Sequence, residues 1–139
     1  MHRLRFRIDP LFAENERYVE KTIRENPEWY GKFNYHETIC PQFFQVTKEE
    51  EFIGFFSMIY WAHGEAVLCY VYVAPEYRKK GVFNKIIKYA KKHVPRRYFI
   101  TINAMKSNAR ANEIYRHKFK YIRYDEEEDI EWYIIRSKK

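Results

Sequence analysis

The stretch from Val71 to Ala90, VYVAPEYRKKGVFNKIIKYA, constrains the fold of this chain more than any other part of the sequence. Its first three residues favour an extended strand, and Pro75 then ends that strand. From Val82 onward the apolar residues recur at helical spacing, with lysines on the opposite side of the predicted helix. Three cations and Gly81 therefore lie between a strand and a helix N-terminus, where unpaired N–H groups attract an anion.

The rest of the chain divides into strands and helices by the same criteria. Asp9 and Pro10 are typical of a helix cap and a first helical residue, which predicts a helix through about Glu25. A short second helix or an aromatic loop follows at 27–38. The other predicted elements are strands at 3–8, 43–47, 52–61, 65–73, 98–103, 120–124 and 131–135, and helices at 82–94 and 109–117. This order, βααβββαβαββ, indicates an α/β (α+β) fold, with a mixed central sheet of six to seven strands and helices on both faces.

Length and composition limit the classes of protein to which this chain can belong. With 139 residues, of which 46% are hydrophobic, it is long enough for one packed domain and too short for two. No apolar run reaches the ~18 residues of a membrane span, and the N-terminus lacks the apolar block of a signal peptide. We therefore expect a single domain over residues 1–139 that is soluble and cytoplasmic, without membrane contact, as a monomer or homodimer.

Cysteine and histidine residues give no indication of a metal site. Cys40 and Cys69 are the only cysteines. Cys69 lies within an apolar strand, where burial as a small hydrophobe is commoner than a disulfide or a nucleophile. The five histidines are scattered without the spacing of metal ligands. We expect no metal.

Charge is distributed unevenly along the chain, whose net charge is +7. Residues 125–131, DEEEDIE, hold six of the 19 acidic residues. The part up to Arg123 carries 23 basic and 13 acidic residues, a net charge of +10. A basic body and one acidic hairpin indicate two sites of opposite charge preference.

The segment RKKGVF and its surroundings resemble the GNAT superfamily of acyl-CoA-dependent N-acetyltransferases. The pyrophosphate loop of that family, Gln/Arg-x-x-Gly-x-Gly/Ala after a strand ending in Val-x-Pro, is matched by residues 73–83, with Phe83 in the place of the usual small residue. A second element, Asn-x-x-Ala-x-x-Leu-Tyr, is matched by residues 108–115, NARANEIY, and residues 53–55 resemble the preceding strand. The resemblance covers roughly residues 43–135 and implies a single GNAT-like acetyltransferase domain with acetyl-CoA as cosubstrate.

The resemblance and the local chemistry together predict a coenzyme A site. Successive N–H groups from Arg78 to Phe83 can cradle the pyrophosphate, and the cations add charge to it, whereas the alternative is a solvated basic turn. By resemblance, the main chain of residues 71–73 holds the pantetheine and polarises the thioester. Asn108 either hydrogen-bonds the cofactor or caps a helix. The predicted cofactor-binding residues are Val71, Tyr72, Val73, Arg78, Lys79, Lys80, Gly81, Val82, Phe83, Asn108 and Tyr115.

Acetyl transfer to an amine requires a proton donor for the leaving thiolate and a neutral attacking amine. The resemblance makes Tyr115 the proton donor to the sulfur; packing of its helix is the alternative. Glu65 opens the central strand thirteen residues before Arg78, as does a general base in histone-acetyltransferase-type members, and a solvated residue after a turn is the alternative. An amine that arrives deprotonated would need no base. Other candidates for the base are His36, Glu37 and His63.

The sequence favours a primary amine as acceptor, on a protein (lysine or N-terminus) or on a small cationic molecule. In the family, the first two helices and the last hairpin wall the acceptor groove; the first pair is aromatic here and the hairpin is acidic, which suits a cation. The aromatic residues are Trp29, Tyr30, Phe33 and Tyr35. Two alternatives stay open: a nucleic-acid acceptor, such as aminoacyl-tRNA or a modified base, which would contact the basic body, and a non-catalytic module that binds coenzyme A.

Overall fold

Seven strands form one mixed sheet, and its helices pack on both faces. The computed structural model describes residues 5–30 and 42–137. The elements are β1 Arg7–Pro10, α1 Glu16–Glu25, α2 Pro27–Tyr30, β2 Gln42–Lys48, β3 Glu51–Trp61, β4 Glu65–Val73, α3 Val82–His93, β5 Phe99–Met105, α4 Ala109–Lys118, β6 Lys120–Asp125 and β7 Ile130–Arg136. The strand order is β1-β2-β3-β4-β5-β7-β6. The predicted order of elements and the predicted fold class are confirmed.

Neighbouring apolar residues of the central strands serve opposite faces of the sheet, because successive side chains of a strand alternate in direction. Phe44 and Phe56 pack with Ile86 of α3 in one hydrophobic core. Phe43 and Phe55 pack in a second core, beneath α1. Apolar pairs such as Phe43-Phe44 therefore indicate a sheet that is covered on both sides.

The strands β4 and β5 are the parallel pair of the sheet, and they stay together only at their first residues. Their pairing runs from Glu65 opposite Phe99 to Leu68 opposite Ile102. Tyr70 then adopts a left-handed conformation with a φ of 51°, and the register between β3 and β4 shifts at the same level. Such a bulge bends the strand. The last residues of β4 are consequently released from β5, and a gap opens between the two strands.

Asp9 and Pro10 belong to β1, so the prediction that they begin a helix is wrong. β1 is an edge strand of the described sheet, and Pro10 lies opposite Phe44 of β2. An edge position tolerates proline, since the missing N–H group costs no hydrogen bond on the open side. A short turn at Ala13–Asn15 follows, and α1 begins only at Glu16.

The buried side chain of Gln45 explains why the helix begins late. Its Oε1 atom accepts hydrogen bonds from the backbone N–H of Phe12 and from Nδ2 of Asn15, both at 3.0 Å. Gln45 lies on β2 and is 1% exposed, so these bonds satisfy a buried polar group. A partner 30 residues further along the chain thus sets the turn, which local sequence signals do not reveal.

No helix within residues 5–30 and 42–137 is long and apolar enough to cross a membrane.

Replacing Gly54 by alanine should destabilise the protein, because β3 and β4 lie too close there for a side chain. A Cβ atom at Gly54 would stand 2.5 Å from the backbone oxygen of Tyr72. The three nearest atoms all belong to the backbone of β4, which has little room to move. We therefore expect a loss of about 1–3 kcal/mol in the free energy of unfolding. Gly81→Ala is the matched control: a Cβ there meets no atom within 4 Å, so only the cost of its positive φ of 87° remains, about 1 kcal/mol. Urea unfolding compares the two; equal stability of Gly54→Ala and the parent would contradict the prediction.

Candidate active site

A first cavity of about 510 Å³ lies where β4 leaves β5. Its walls are the end of β4, the turn before α3, and one side of α4. All of the predicted cofactor-binding residues line it except Lys80, whose ammonium group instead lies 5.7 Å from the ring centroid of Tyr77. The lining residues from these elements are Val71, Tyr72, Val73, Arg78, Lys79, Gly81, Val82, Phe83, Asn108 and Tyr115. The fold thus brings two separate sequence motifs to one cavity.

The turn before α3 directs backbone N–H groups into this cavity. Lys79 and Gly81 have left-handed conformations, with φ of 64° and 87°. Gly81 is the N-cap of α3, and no side chain caps the helix there. The N–H groups of the first helical turn are therefore free of intrahelical partners, and with the positive end of the helix dipole they favour an anion. Glycine at position 81 is required for its backbone conformation, since the space for a side chain is open.

Four cations and no carboxylate line the first cavity among the described residues; they are Arg78, Lys79, Arg110 and Lys118. Arg110 and Lys118 were not predicted as site residues. Arg110 and Lys118 are eight residues apart with Ile114 midway, so all three lie on one side of α4. This spacing is the sequence signal by which they could have been predicted as site residues.

Arg78 has a structural contact in addition to its charge. Its Nε donates a hydrogen bond of 2.9 Å to the carbonyl oxygen of Val73. Its guanidinium carbon lies 5.8 Å from the ring centroid of Trp29 and 5.9 Å from that of Tyr72. Arg78 consequently holds the end of β4, the turn and α2 together around the cavity.

Tyr115 lies at the centre of the site. Its ring stacks on Phe83 with the centroids 5.6 Å apart and packs edge-on against Tyr133 at the same distance. The side chain is 7% exposed, and burial, followed by the nearby Tyr133, raises the pKa of its phenol. Within the described residues its hydroxyl has no hydrogen-bond partner, although Tyr115 lines the cavity. A protonated hydroxyl is thus available there as a donor.

Phe83 packs against the core and also lines the first cavity. Its ring therefore does not block the space beside the turn before α3. The ring contacts Tyr115 in a stack and Phe119 edge-on, with a centroid distance of 6.2 Å to the latter. The larger side chain at this position therefore buttresses Tyr115.

A buried amide, which the sequence analysis did not identify, positions α4. Nδ2 of Asn112 donates to the carbonyl oxygens of Met105 at 2.9 Å and Asn108 at 3.0 Å, and its Oδ1 accepts from the Tyr133 hydroxyl at 2.7 Å. These bonds join α4 to β5 and β7. Asn108 itself is the N-cap of α4, where its side chain accepts from the N–H of Ala111 at 3.2 Å, and it also lines the cavity.

A second cavity, of about 420 Å³, adjoins the first. Five residues line both cavities: Trp29, Tyr30, Val71, Asn108 and Tyr115. The other described residues around the second cavity are Ile59, Trp61, Val67, Cys69, Tyr70, Asn103, Ala104, Met105, Glu128, Ile130 and Trp132. The predicted aromatic and acidic groove therefore has a counterpart here, while Phe33 and Tyr35 lie outside the described residues.

The hydroxyl of Tyr30 fixes the backbone between the two cavities. It donates a hydrogen bond of 2.9 Å to the carbonyl oxygen of Val71, on the released part of β4. Burial raises the pKa of this phenol, so it stays a donor at neutral pH. On the neighbouring side, the hydroxyl of Ser107 donates to the carbonyl of Glu28, which joins α2 to the loop before α4.

Cys69 is buried, as its place in an apolar strand predicted. Burial raises the pKa of its thiol to about 12, with a lowering contribution from the hydroxyl of Ser57, which lies 3.1 Å from the sulfur. The thiol is therefore protonated and inert at neutral pH. Cys40 lies outside the described residues.

Glu65 is not among the described residues that line either cavity, and its role as the base stays a prediction. Glu65 is the first residue of β4, six positions before Val71, and a strand rises roughly 20 Å over six residues. Its Oε2 accepts from the Thr101 hydroxyl at 2.7 Å, and its Oε1 lies 2.8 Å from Nε2 of His63.

Glu65 and His63 therefore contact each other at the start of β4, where Glu65 also binds Thr101. The remaining base candidates, His36 and Glu37, lie outside the described residues. Over the described ranges, no three His, Cys, Asp or Glu side chains are grouped so that they could hold a metal ion.

Proteins of known structure share this fold at low sequence identity. A protein of Salmonella typhimurium that modifies the N-terminal serine of ribosomal protein L7/L12 is 9% identical, with a TM-score of 0.71 and coverage of 95% of both chains. A putative streptothricin acetyltransferase of Bacillus anthracis, in complex with acetyl coenzyme A, is 13% identical, with a TM-score of 0.65 and coverage of 98% and 99%. Spermidine N-acetyltransferase of Vibrio cholerae, in complex with CoA and spermine, is 18% identical, with a TM-score of 0.69 and coverage of 94% and 95%.

The sequence also matches a known family directly. The model of the acetyltransferase (GNAT) family matches residues 7–121, which include β4, the turn before α3, and α4 up to its last residue. No curated protein matches the chain significantly in sequence. The family match confirms the resemblance that the motifs at 73–83 and 108–115 indicated, and the chain belongs to the acetyltransferase (GNAT) family.

Proposed function

We propose that this protein transfers the acetyl group of acetyl-CoA to a primary amine by direct attack in a ternary complex. The observation that carries the proposal is the meeting of two cavities of opposite charge at Tyr115 and Val71. An anionic cosubstrate and a cationic acceptor would each find a complementary cavity, with their reactive ends at the residues that both cavities share.

The first cavity suits coenzyme A because of its donors and its charge. The N–H groups at the start of α3 fit a pyrophosphate, and Lys79 and Lys118 supply positive charge on either side of them. The ammonium group of Lys118 donates a hydrogen bond of 2.9 Å to Oδ1 of Asn84, which lies in the first turn of α3. The released end of β4 would run beside the pantetheine. Acetyl-CoA in the Bacillus anthracis neighbour supports this assignment.

The reaction assigns Tyr115 the role of general acid. The neutral amine nitrogen attacks the thioester carbonyl carbon, and the carbon–sulfur bond then breaks. The thiolate takes the phenolic proton, and the proton that the nitrogen loses restores the phenol through solvent. The raised pKa of Tyr115 keeps the phenol protonated at neutral pH.

The two alternative functions have less support from the site. No Lys or Arg lines the second cavity among the described residues, whereas a nucleic-acid acceptor needs cations near its phosphates. A non-catalytic module would have no need of an unpartnered hydroxyl on Tyr115 at the junction of both cavities.

The cofactor assignment predicts that Gly81→Glu weakens acetyl-CoA binding by at least about tenfold, because a carboxylate would oppose the anion at the start of α3. Gly81→Ala is the control, since it imposes the same backbone strain without the charge and should lose much less affinity. Isothermal calorimetry measures both, and binding to the parent should weaken as salt is added. Equal affinity of Gly81→Glu and Gly81→Ala would show that the turn does not bind the cosubstrate.

The role of Tyr115 predicts that Tyr115→Phe lowers kcat by roughly 10²-fold, a typical contribution of acid catalysis, with little change in the Kd for acetyl-CoA. The ring and its stack on Phe83 are retained in this variant. Tyr121→Phe serves as the control, because Tyr121 is exposed on β6 and lines neither cavity. Turnover is followed by release of free thiol. Parent activity in a folded Tyr115→Phe variant would reduce Tyr115 to a packing residue.

The pKa shift of Tyr115 predicts the pH dependence of the parent enzyme. A phenol whose pKa is raised above its ordinary value of 10 keeps its proton, and so its function, throughout the range in which a free tyrosine would begin to ionise. Activity should therefore rise as the amine deprotonates and should not fall between about pH 8 and 10. A pH–rate profile with a descending limb in that range, absent in Tyr115→Phe, would contradict the prediction.

A further inference from the structure

We propose that the second cavity binds a primary amine that carries one positive charge and an apolar body long enough to reach Ile59 and Val67. This inference rests on the proposed function for the role of the cavity, and it specifies the class of acceptor. The nitrogen would lie at the end with Glu128 and Tyr115, and the body would extend along β4 toward Ile59 and Val67.

The charge of the second cavity supports a single cation. Glu128, in the turn between β6 and β7, is the one carboxylate among the described lining residues, and no Lys or Arg lines the cavity. This contrasts with the four cations of the first cavity and with a chain of net charge +7. Among the described lining residues, an anionic acceptor would therefore find no cationic side chain, whereas a cation would find a carboxylate.

The strand registers place Glu128 and the apolar residues at opposite ends of the cavity. Leu68 of β4 lies opposite Ile102 of β5, so Val71 and Met105 lie at about the same height. Met105 pairs with Ile130, two residues after Glu128. Glu128 is thus near the level of Val71, at the junction with the first cavity.

The far end of the cavity is apolar. Val67 lies four residues before Val71, roughly 13 Å along the strand, and it pairs with Ile59 of β3. Trp61 lies two residue pairs further along, opposite Glu65, and is 39% exposed. A ligand with its nitrogen near Glu128 would consequently lay a chain of roughly 13 Å on the apolar side chains of Val67 and Ile59.

The charged groups nearest the apolar end are already paired with each other. Glu65 lies opposite Trp61 in the sheet, but both its oxygens are engaged, one by Thr101 and one by His63. It does not line the cavity. A second or third ammonium of a polyamine would therefore lose its water at this end without gaining a free carboxylate.

The walls of the cavity are aromatic on several sides, from Trp29, Tyr30, Tyr70 and Trp132. The indole N–H of Trp132 is buried and has no hydrogen-bond partner in the described part of the chain. Aromatic faces also stabilise an ammonium and bury an alkyl chain.

The first test compares amines of matched size by calorimetry, in the presence and in the absence of CoA. n-Octylamine and spermidine are similar in length and differ in charge; n-butylamine shares the ammonium of octylamine but is too short to reach Ile59 and Val67. Octylamine should bind at least about 20-fold more tightly than butylamine, because each buried methylene contributes about fourfold. It should also bind more tightly than spermidine. Tighter binding of spermidine, or equal binding of the two alkylamines, would overturn the proposal.

The second test uses variants at the two ends of the cavity. Glu128→Gln should weaken both alkylamines about threefold to tenfold, while Glu126→Gln, on the same exposed turn but outside the cavity, should change neither. Ile59→Ala, at the apolar end, should weaken octylamine and leave butylamine unchanged. An effect of Ile59→Ala on both amines, or of Glu128→Gln on neither, would contradict the assigned orientation.

Turnover separates this inference from the proposed function. Octylamine that binds as described and is not acetylated would leave the binding proposal in place and refute the proposed function. Acetylation of spermidine or of a peptide N-terminus with a higher kcat/KM than octylamine, in a protein that binds acetyl-CoA, would support the proposed function and overturn the inferred acceptor class. If CoA fails to bind, the titrations without CoA still decide whether the cavity takes a monocationic amine.

Discussion

The separation of β4 from β5 is the constraint on which the rest of the structure depends. The two strands pair from Glu65 to Leu68, and the left-handed residue Tyr70 then turns β4 away. A parallel pair that continued to Val73 would leave no space for either cavity. The opened backbone is kept in place by side chains, since Tyr30 binds the carbonyl of Val71 and Arg78 binds that of Val73. These bonds replace part of the ladder that the gap removes.

The two cavities beside this gap carry opposite charge among their described lining residues, so they favour different ligands. The cations of the first cavity come from the turn before α3 and from α4, whereas Glu128 comes from the hairpin at the end of the chain. An anionic cosubstrate and a cationic acceptor would thereby be guided to different cavities and would meet at Tyr115. Asn112 holds α4, and with it Tyr115, in place beside both cavities, because its amide forms hydrogen bonds to Met105 of β5 and to Tyr133 of β7. Among the described lining residues, the four cations thus lie in the first cavity and the carboxylate in the second.

Much of the fold and part of the site could be predicted because the signals are local. Alternating and helical periodicities located the strands and helices, and the cation-rich turn with Gly81 located the cavity wall. The prediction failed where a distant residue decides the local structure. Asp9 and Pro10 have the composition of a helix start, yet pairing with β2 makes them an edge strand. Glu65 is the first residue of β4, and its role as the base stays a prediction.

The sequence by itself determined the order of elements, the cation-rich turn with Gly81 and the place of Tyr115 as the tyrosine of a family motif. Each of these depends on neighbouring residues, whose periodicity, backbone freedom and charge act over one or two turns of chain. Tertiary structure decided which residues share a cavity: Arg110 and Lys118 with the turn before α3, and Glu128 with the aromatic residues of α2. It also decided that Glu65 is not among the described residues that line the two cavities. Strand register and the bulge at Tyr70 fix those distances, and both arise from pairing between segments that are far apart in the chain.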